Sequence, residues 1–179
     1  GESKQIDLAT TRWTDSVDAD VTTSQDTKDY KLAPGSLKMV VVATASAGDI
    51  LATKTITAID ISGYDYVEFW IKSTVAAVAG DLQLLLDNTA GCASPLETLS
   101  IPALLADTWT FVRVALANPE LDTAIISVGL KYTTDLGACT IWLNDIQAVL
   151  NDSGRWLKFD KNNWRVDQLN QDLVFSYAP

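Results

Sequence analysis

A chain of 179 residues that is 47% hydrophobic and 20% charged carries enough apolar side chain for one globular core with some chain to spare. Thirteen Lys and Arg against 23 Asp and Glu give a net charge of −10, a field that repels phosphate backbones and anionic lipid and argues against nucleic acid or a membrane surface as partner. The complete lack of histidine removes the usual base of Ser and Cys nucleophiles and the commonest zinc ligand, so most hydrolase schemes fail.

What survives is carboxylate chemistry, such as a pair of acids flanking a glycosidic bond. No particular pair stands out, and the expectation is a protein that is not an enzyme. The acids (Asp15, Asp18, Asp20, Asp26, Asp29, then Asp60, Asp65 and Asp81) are spread as on a solvated surface rather than gathered in a tail. No run approaches the roughly 18 to 20 apolar residues of a membrane helix. Gly1-Glu2-Ser3-Lys4-Gln5 lacks the layout of a signal peptide, although one could have been removed earlier. Cys92 and Cys139 have no CxxC spacing and leave two alternatives open, one disulfide or two quiet thiols.

In chain order, short apolar or alternating runs predict strands at Ser36–Ala43, Ile50–Thr57, Tyr66–Lys72, Leu82–Leu86, Glu97–Ile101, Trp109–Ala115, Ile125–Tyr132 and Thr140–Val149. Pro34-Gly35, Ala47-Gly48-Asp49, Ser62-Gly63, Ala79-Gly80-Asp81, Asn118-Pro119 and Leu136-Gly137 supply the turns. A short helical turn is expected at Pro102–Asp107. About eight strands without a sustained helix predict an all-β chain, a jelly roll or similar two-sheet sandwich. In the third strand Val67, Phe69 and Ile71 point one way and Tyr66, Glu68, Trp70 and Lys72 the other, so the first row should enter the core. Trp70 then flanks a charged row, where cover by an adjoining loop is weighed above the alternative, a ligand platform.

Several phrases resemble the carbohydrate-binding-module-like jelly rolls that occur beside glycosidases and in bacteriophage virions. Trp13 followed by "DVTTSQDTKDYKLAPGSLKMVV" looks like their opening strands, and "ITAIDISGYDYVEFWIKS" is similar to their central element. "ADTWTFVRVAL" resembles a later strand entered through a Trp-Thr pair, and "CTIWLNDIQAV" the closing strand. The likeness covers about residues 10 to 150 and implies the fold more than the role. It also implies a structural calcium near the start and end of the sandwich, with Asn144 and Asp145 matching the closing-strand element; the remaining ligands are not identifiable, and Asp145 alone reads as a solvated strand-end acid. For sugar recognition the candidates are Trp13, Tyr64, Tyr66 and Tyr132, aromatics at loop or strand edges.

Past Asn151-Asp152-Ser153-Gly154 the plain module ends, which divides the chain into a sandwich over 1–150 and an extension over 151–179. The extension carries strand-like pieces at Trp156–Phe159, Trp164–Asp167 and Leu173–Tyr177. A ribbon this small cannot bury its own aromatics, so Trp156, Trp164, Val166, Phe175 and Tyr177 should dock either on the sandwich or on a neighbouring subunit. The Trp-Arg-Val-Asp element also resembles small virion proteins of tailed phages. That likeness implies a non-enzymatic capsid decoration (cement) or neck and tail protein of the virion, a homo-oligomer such as a trimer bound to capsid or tail subunits. A module recognising a polysaccharide, as in host attachment, is the alternative.

Overall fold

The computed structural model describes residues 2–15 and 20–151, together with the backbone of 164–169 and 172–177. In chain order the strands are β1 (Ser3–Asp7), β2 (Thr14–Asp15), β3 (Val21–Asp26), β4 (Ser36–Val41), β5 (Ile50–Ile59), β6 (Tyr66–Ser73), β7 (Leu82–Asp87), β8 (Glu97–Ser100), β9 (Thr110–Ala115), β10 (Ile125–Tyr132), β11 (Cys139–Val149), β12 (Trp164–Leu169) and β13 (Asp172–Tyr177). The first eleven build two antiparallel sheets packed face to face. One is six-stranded, in the order β3-β4-β11-β6-β9 with β1 also paired to β11; the other is five-stranded, β2-β5-β10-β7-β8. This is the all-β sandwich expected from the turn spacing, and every expected strand between Ser36 and Val149 is present.

Strict alternation drives the packing. Val67, Phe69 and Ile71 of β6 are fully buried, and Tyr66, Glu68, Trp70 and Lys72 lie half-buried on the opposite face. Leu37 and Met39 of β4 join them from the same sheet and meet Leu51 of β5, Leu84 and Leu86 of β7, and Val128 and Leu130 of β10 from the other. The closing strand β11 changes phase midway. Ile141 and Leu143 point inward before the register shift between Asn144 and Gln147, Ile146 does so within it and Ala148 beyond it. The bulge residue Asp145 has φ 56°, and the extra residue keeps the core row facing inward while the strand bends.

Four findings differ from, or complete, the sequence reading. Three short strands, β1 to β3, precede the first expected one. Pro102–Asp107 is not a helical turn: Leu104, almost fully buried, exchanges two backbone hydrogen bonds with Ala77 at 2.9 and 3.0 Å, and core burial outweighs local helix chemistry there. Single 3-10 turns occur instead at Ala90–Cys92 and Pro119–Leu121. The cysteines take the two-thiol alternative, both buried and free, with Cys92 Sγ 3.4 Å from Ser127 Oγ and Cys139 Sγ 3.1 Å from the Tyr132 hydroxyl.

In the extension, β12 and β13 pair as an antiparallel ribbon whose register sets Trp164 against Tyr177 and Val166 against Phe175. The expected piece at Trp156–Phe159 lies outside the described residues, as do the side chains of Trp164, Val166, Phe175 and Tyr177.

Candidate functional site

Because β6 buries its odd-numbered residues, its even-numbered ones stand on the outer face of the six-stranded sheet, and the register decides their neighbours. Trp70 lies between Asn144 of β11 and Phe111 of β9; Glu68 lies between Gln147 and Arg113; Lys72 lies beside Trp142, which in turn neighbours Lys38 of β4. The side chains meet accordingly. Trp70 and Phe111 rings are 5.2 Å apart between centroids and inclined at 57°, a tilted aromatic pair. The Arg113 guanidinium lies 4.2 Å over the Tyr66 ring, with its Nε 3.4 Å from Glu68 Oε1. At the other end Lys38 and Lys72 sandwich Trp142, their Nζ atoms 5.7 and 5.0 Å from its ring.

A loop over residues 27–35, between β3 and β4, crosses part of this face and is tied down by two carboxylates and an amide. Asp26 Oδ1 accepts from the backbone N–H of Lys28 at 2.9 Å and of Asp29 at 3.2 Å, while Oδ2 accepts from Trp142 Nε1 at 3.0 Å. Asp29 accepts from Trp109 Nε1 at 2.6 Å and Lys72 Nζ at 2.8 Å. The Lys28 N–H, helped by the Trp142 indole, the Asp29 N–H and Lys38, holds the Asp26 carboxyl below its ordinary range against burial. For Asp29 burial pulls upward, but the bonds from Lys72 and Trp109 outweigh it and the carboxyl is again lowered. Asn144, fully buried, accepts from the N–H groups of Lys31 and Leu32 at 2.8 and 2.5 Å and donates to Leu8 and Gly35 carbonyls, both at 3.1 Å. Gly35 permits the close return, since a Cβ there would sit 2.6 Å from the Asp26 carbonyl.

The loop covers the Trp142 end and sets Lys31 Nζ 4.8 Å over the Trp70 ring. Trp70 is thus partly covered, as expected, yet its other neighbours stay open: Phe111 is 48% exposed, Arg113 is exposed, and Tyr66, Glu68 and Gln147 are half-exposed. This open row of three aromatic rings flanked by a carboxylate, a guanidinium and an amide is the candidate site.

Of the aromatics expected to contact sugar, only Tyr66 is in this row. Trp13 is 1% exposed and donates its indole N–H to Asp7 at 2.8 Å; Asp7 in turn pairs with Lys54 at 2.7 Å. Tyr132 is wholly buried, its hydroxyl 3.3 Å from the Gly137 carbonyl, and burial first of all pushes its phenol upward. Neither ring presents a face to solvent, because the sandwich closes over both. Tyr64 is half-buried against the core edge, its hydroxyl 3.4 Å from Glu2 Oε1. Asp145 donates its backbone N–H to the Leu8 carbonyl at 2.8 Å, and Asn144 Oδ1 is already occupied by two N–H groups. No group of three His, Cys, Asp or Glu gathers there among the described residues. Phe111, Arg113 and Trp142 escaped the sequence reading. The alternation of Thr110–Ala115 marks Phe111 and Arg113 as outward, but their neighbours follow only from the pairing of β9 with β6.

No family model matches the sequence, and no curated protein matches it either. Solved structures match at the level of fold. The family 11 carbohydrate-binding module of the cellulosomal cellulase Lic26A-Cel5E of Clostridium thermocellum superposes with a TM-score of 0.59 at 11% identity, over 84% of this chain and 95% of that one. The fold is that of the carbohydrate-binding jelly rolls. A family 11 module from the same organism, in complex with a β-1,3-1,4-mixed-linked tetrasaccharide, matches with a TM-score of 0.58 at 10% identity over 83% of this chain and 95% of that one. A family 30 carbohydrate-binding module matches with a TM-score of 0.56 at 19% identity over 89% and 93%.

Proposed function

We propose that this chain is a non-catalytic carbohydrate-binding module that takes a polysaccharide across Tyr66, Trp70 and Phe111. The open aromatic row on the six-stranded sheet carries the reading. A pyranose ring has an apolar C–H face that loses water against an aromatic ring, and equatorial hydroxyls that must regain hydrogen bonds at its rim. Glu68 and Gln147 offer acceptors beside the rings, and Arg113 and Gln147 offer donors. The carbohydrate-binding neighbours, one of them holding a mixed-linked tetrasaccharide, support the reading through the fold. Nothing in the fold or in those neighbours favours a capsid-decoration role over it, and the expected virion setting rests on the sequence resemblance alone.

Affinity electrophoresis against a panel of soluble polysaccharides that includes β-1,3-1,4-mixed-linked glucan tests the proposal. Retardation by at least one polysaccharide is expected, with Phe111→Ala and Tyr66→Ala weakening it about tenfold or more, the loss for one stacked ring. Val78→Ala, an exposed residue outside the row, should bind as the parent does. Binding that survives both aromatic substitutions would remove the row from the site, and no binding across a broad panel would sink the reading.

A further inference from the structure

The six-stranded sheet ends at β9, whose far side pairs with no strand among the described residues. The direction of its backbone groups follows from the alternation of an antiparallel ladder. The Leu116 N–H bonds the Asp65 carbonyl at 2.9 Å, so Thr110, Val112 and Val114 also turn their N–H and C=O groups toward β6. Those of Phe111, Arg113 and Ala115 point out of the sheet, and all three residues are exposed. Such an edge is normally guarded by a proline, a lysine or a bulge. β9 has none of these: its ladder with β6 runs without a register shift. Its one charged residue, Arg113, lies back over the sheet, with its guanidinium 4.2 Å over the Tyr66 ring and its Nε 3.4 Å from Glu68. The opposite edge of the same sheet differs, since β3 is met there by the Trp13 segment, whose carbonyl accepts from the Thr23 hydroxyl.

We propose that β9 is the surface through which two copies of this chain associate, paired antiparallel and edge to edge about a twofold axis perpendicular to the sheet. A second copy fits because β9 complements itself. Only the outward-pointing residues can exchange backbone bonds, and three registers keep at least two of them paired. Centred on Arg113, the pairing sets two guanidinium groups opposite each other, where like charges repel. Centred on Val114, it sets Arg113 opposite Ala115, with no side-chain contact to hold it. Centred on Val112, it sets Phe111 of each copy opposite Arg113 of the other, so that a guanidinium meets an aromatic ring twice and each such pair exchanges two N–H···O=C bonds. Both copies then turn their outer faces the same way, and the two aromatic rows meet across the axis in one surface. The contact buries a single strand edge and its rim, below about 1,200 Å², which makes the association weak and reversible. It does not rest on the sugar-binding reading.

Sedimentation velocity of the full chain, up to about 1 mM and in about 0.3 M sodium chloride to screen the mutual repulsion of chains of net charge −10, should show a monomer–dimer equilibrium. Arg113→Pro removes an outward N–H and no bond to β6, a change that edge strands accept, and should leave a monomer with unchanged β-sheet circular dichroism. Cross-linking reads the register independently of that variant. When Phe111→Cys and Arg113→Cys chains are mixed and oxidised, the mixed disulfide dimer should exceed either homodimer at least about fivefold, because residues opposite each other in a bonded pair lie about 5.5 Å apart between Cα atoms, within disulfide reach. Cys92 and Cys139 are buried and take no part. A wild-type chain that stays monomeric to about 1 mM, a folded Arg113→Pro chain that dimerises as the parent does, or a mixture that cross-links no more than either variant alone overturns the proposal.

Discussion

Asp26 and Asp29 do most of the work of holding the 27–35 loop on its sheet, each bonded to an indole N–H and to backbone or lysine donors. Both carboxyls titrate below their ordinary value of 3.8 in the folded chain. A depressed acid contributes stability that is fully present above the unfolded value and is lost as the pH falls through the folded one. The loop should therefore be indifferent to pH from 8 down to about 5 and loosen only below about 4. Tryptophan emission followed from pH 6 to pH 2 reports this directly, since Trp109 and Trp142 donate to these carboxylates. Asp29→Asn should shift the emission already at pH 6 and shrink the acid transition; an unchanged titration in that variant would disprove the anchoring role.

At the scale of elements, β11 is the strand on which the others converge, pairing with β1, β4 and β6. Its bulge places Asn144 where one amide reaches the segment after β1 and the loop before β4 together. Asn144→Ala strands buried N–H groups on Lys31 and Leu32 and carbonyls on Leu8 and Gly35, which should cost about 2–4 kcal/mol. Urea denaturation measures it, and a loss under about 0.5 kcal/mol would mean that water replaces the amide without penalty. Polysaccharide binding should fall as well, because Lys31 stands over Trp70 only while the loop is held.

For the whole molecule, the charge is uneven. A chain of net charge −10 gathers Lys31, Lys38, Lys72 and Arg113 on one sheet face, where each lies over an aromatic ring. Asp26, Asp29 and Glu68 offset them locally, so the face is close to neutral inside an acidic surface, which suits a ligand rich in hydroxyls better than one rich in charge. Among the described residues the core cluster draws on residues 6–148, and Asp65 accepts the Asn151 N–H at 2.8 Å. A chain ending at Asn151 should keep its β-sheet circular dichroism and a Tm within a few degrees of the full chain. A molten or unfolded product would instead make residues 152–179 part of the core.

How much of this was legible beforehand depends on whether a property is local. Alternation with period two is local, so the strands from Ser36 to Val149 and the inward row Val67, Phe69 and Ile71 follow from the sequence itself. Tyr66 and Trp70 were placed on the outer face for the same reason. β1 and β3 are mostly polar and become strands only because β11 and β4 supply their hydrogen bonds. Trp13 and Tyr132 are enclosed between the sheets while Phe111 stands beside Trp70; alternation marks Phe111 as outward, but only the pairing of β9 with β6 gives it that neighbour. Composition and alternation thus determined the all-β class and which face of each strand is apolar, because both are fixed by neighbours along the chain. Tertiary structure decided which aromatics meet, where the loop lies and that β9 stands at the edge of its sheet, because those depend on residues brought together from distant parts of the chain.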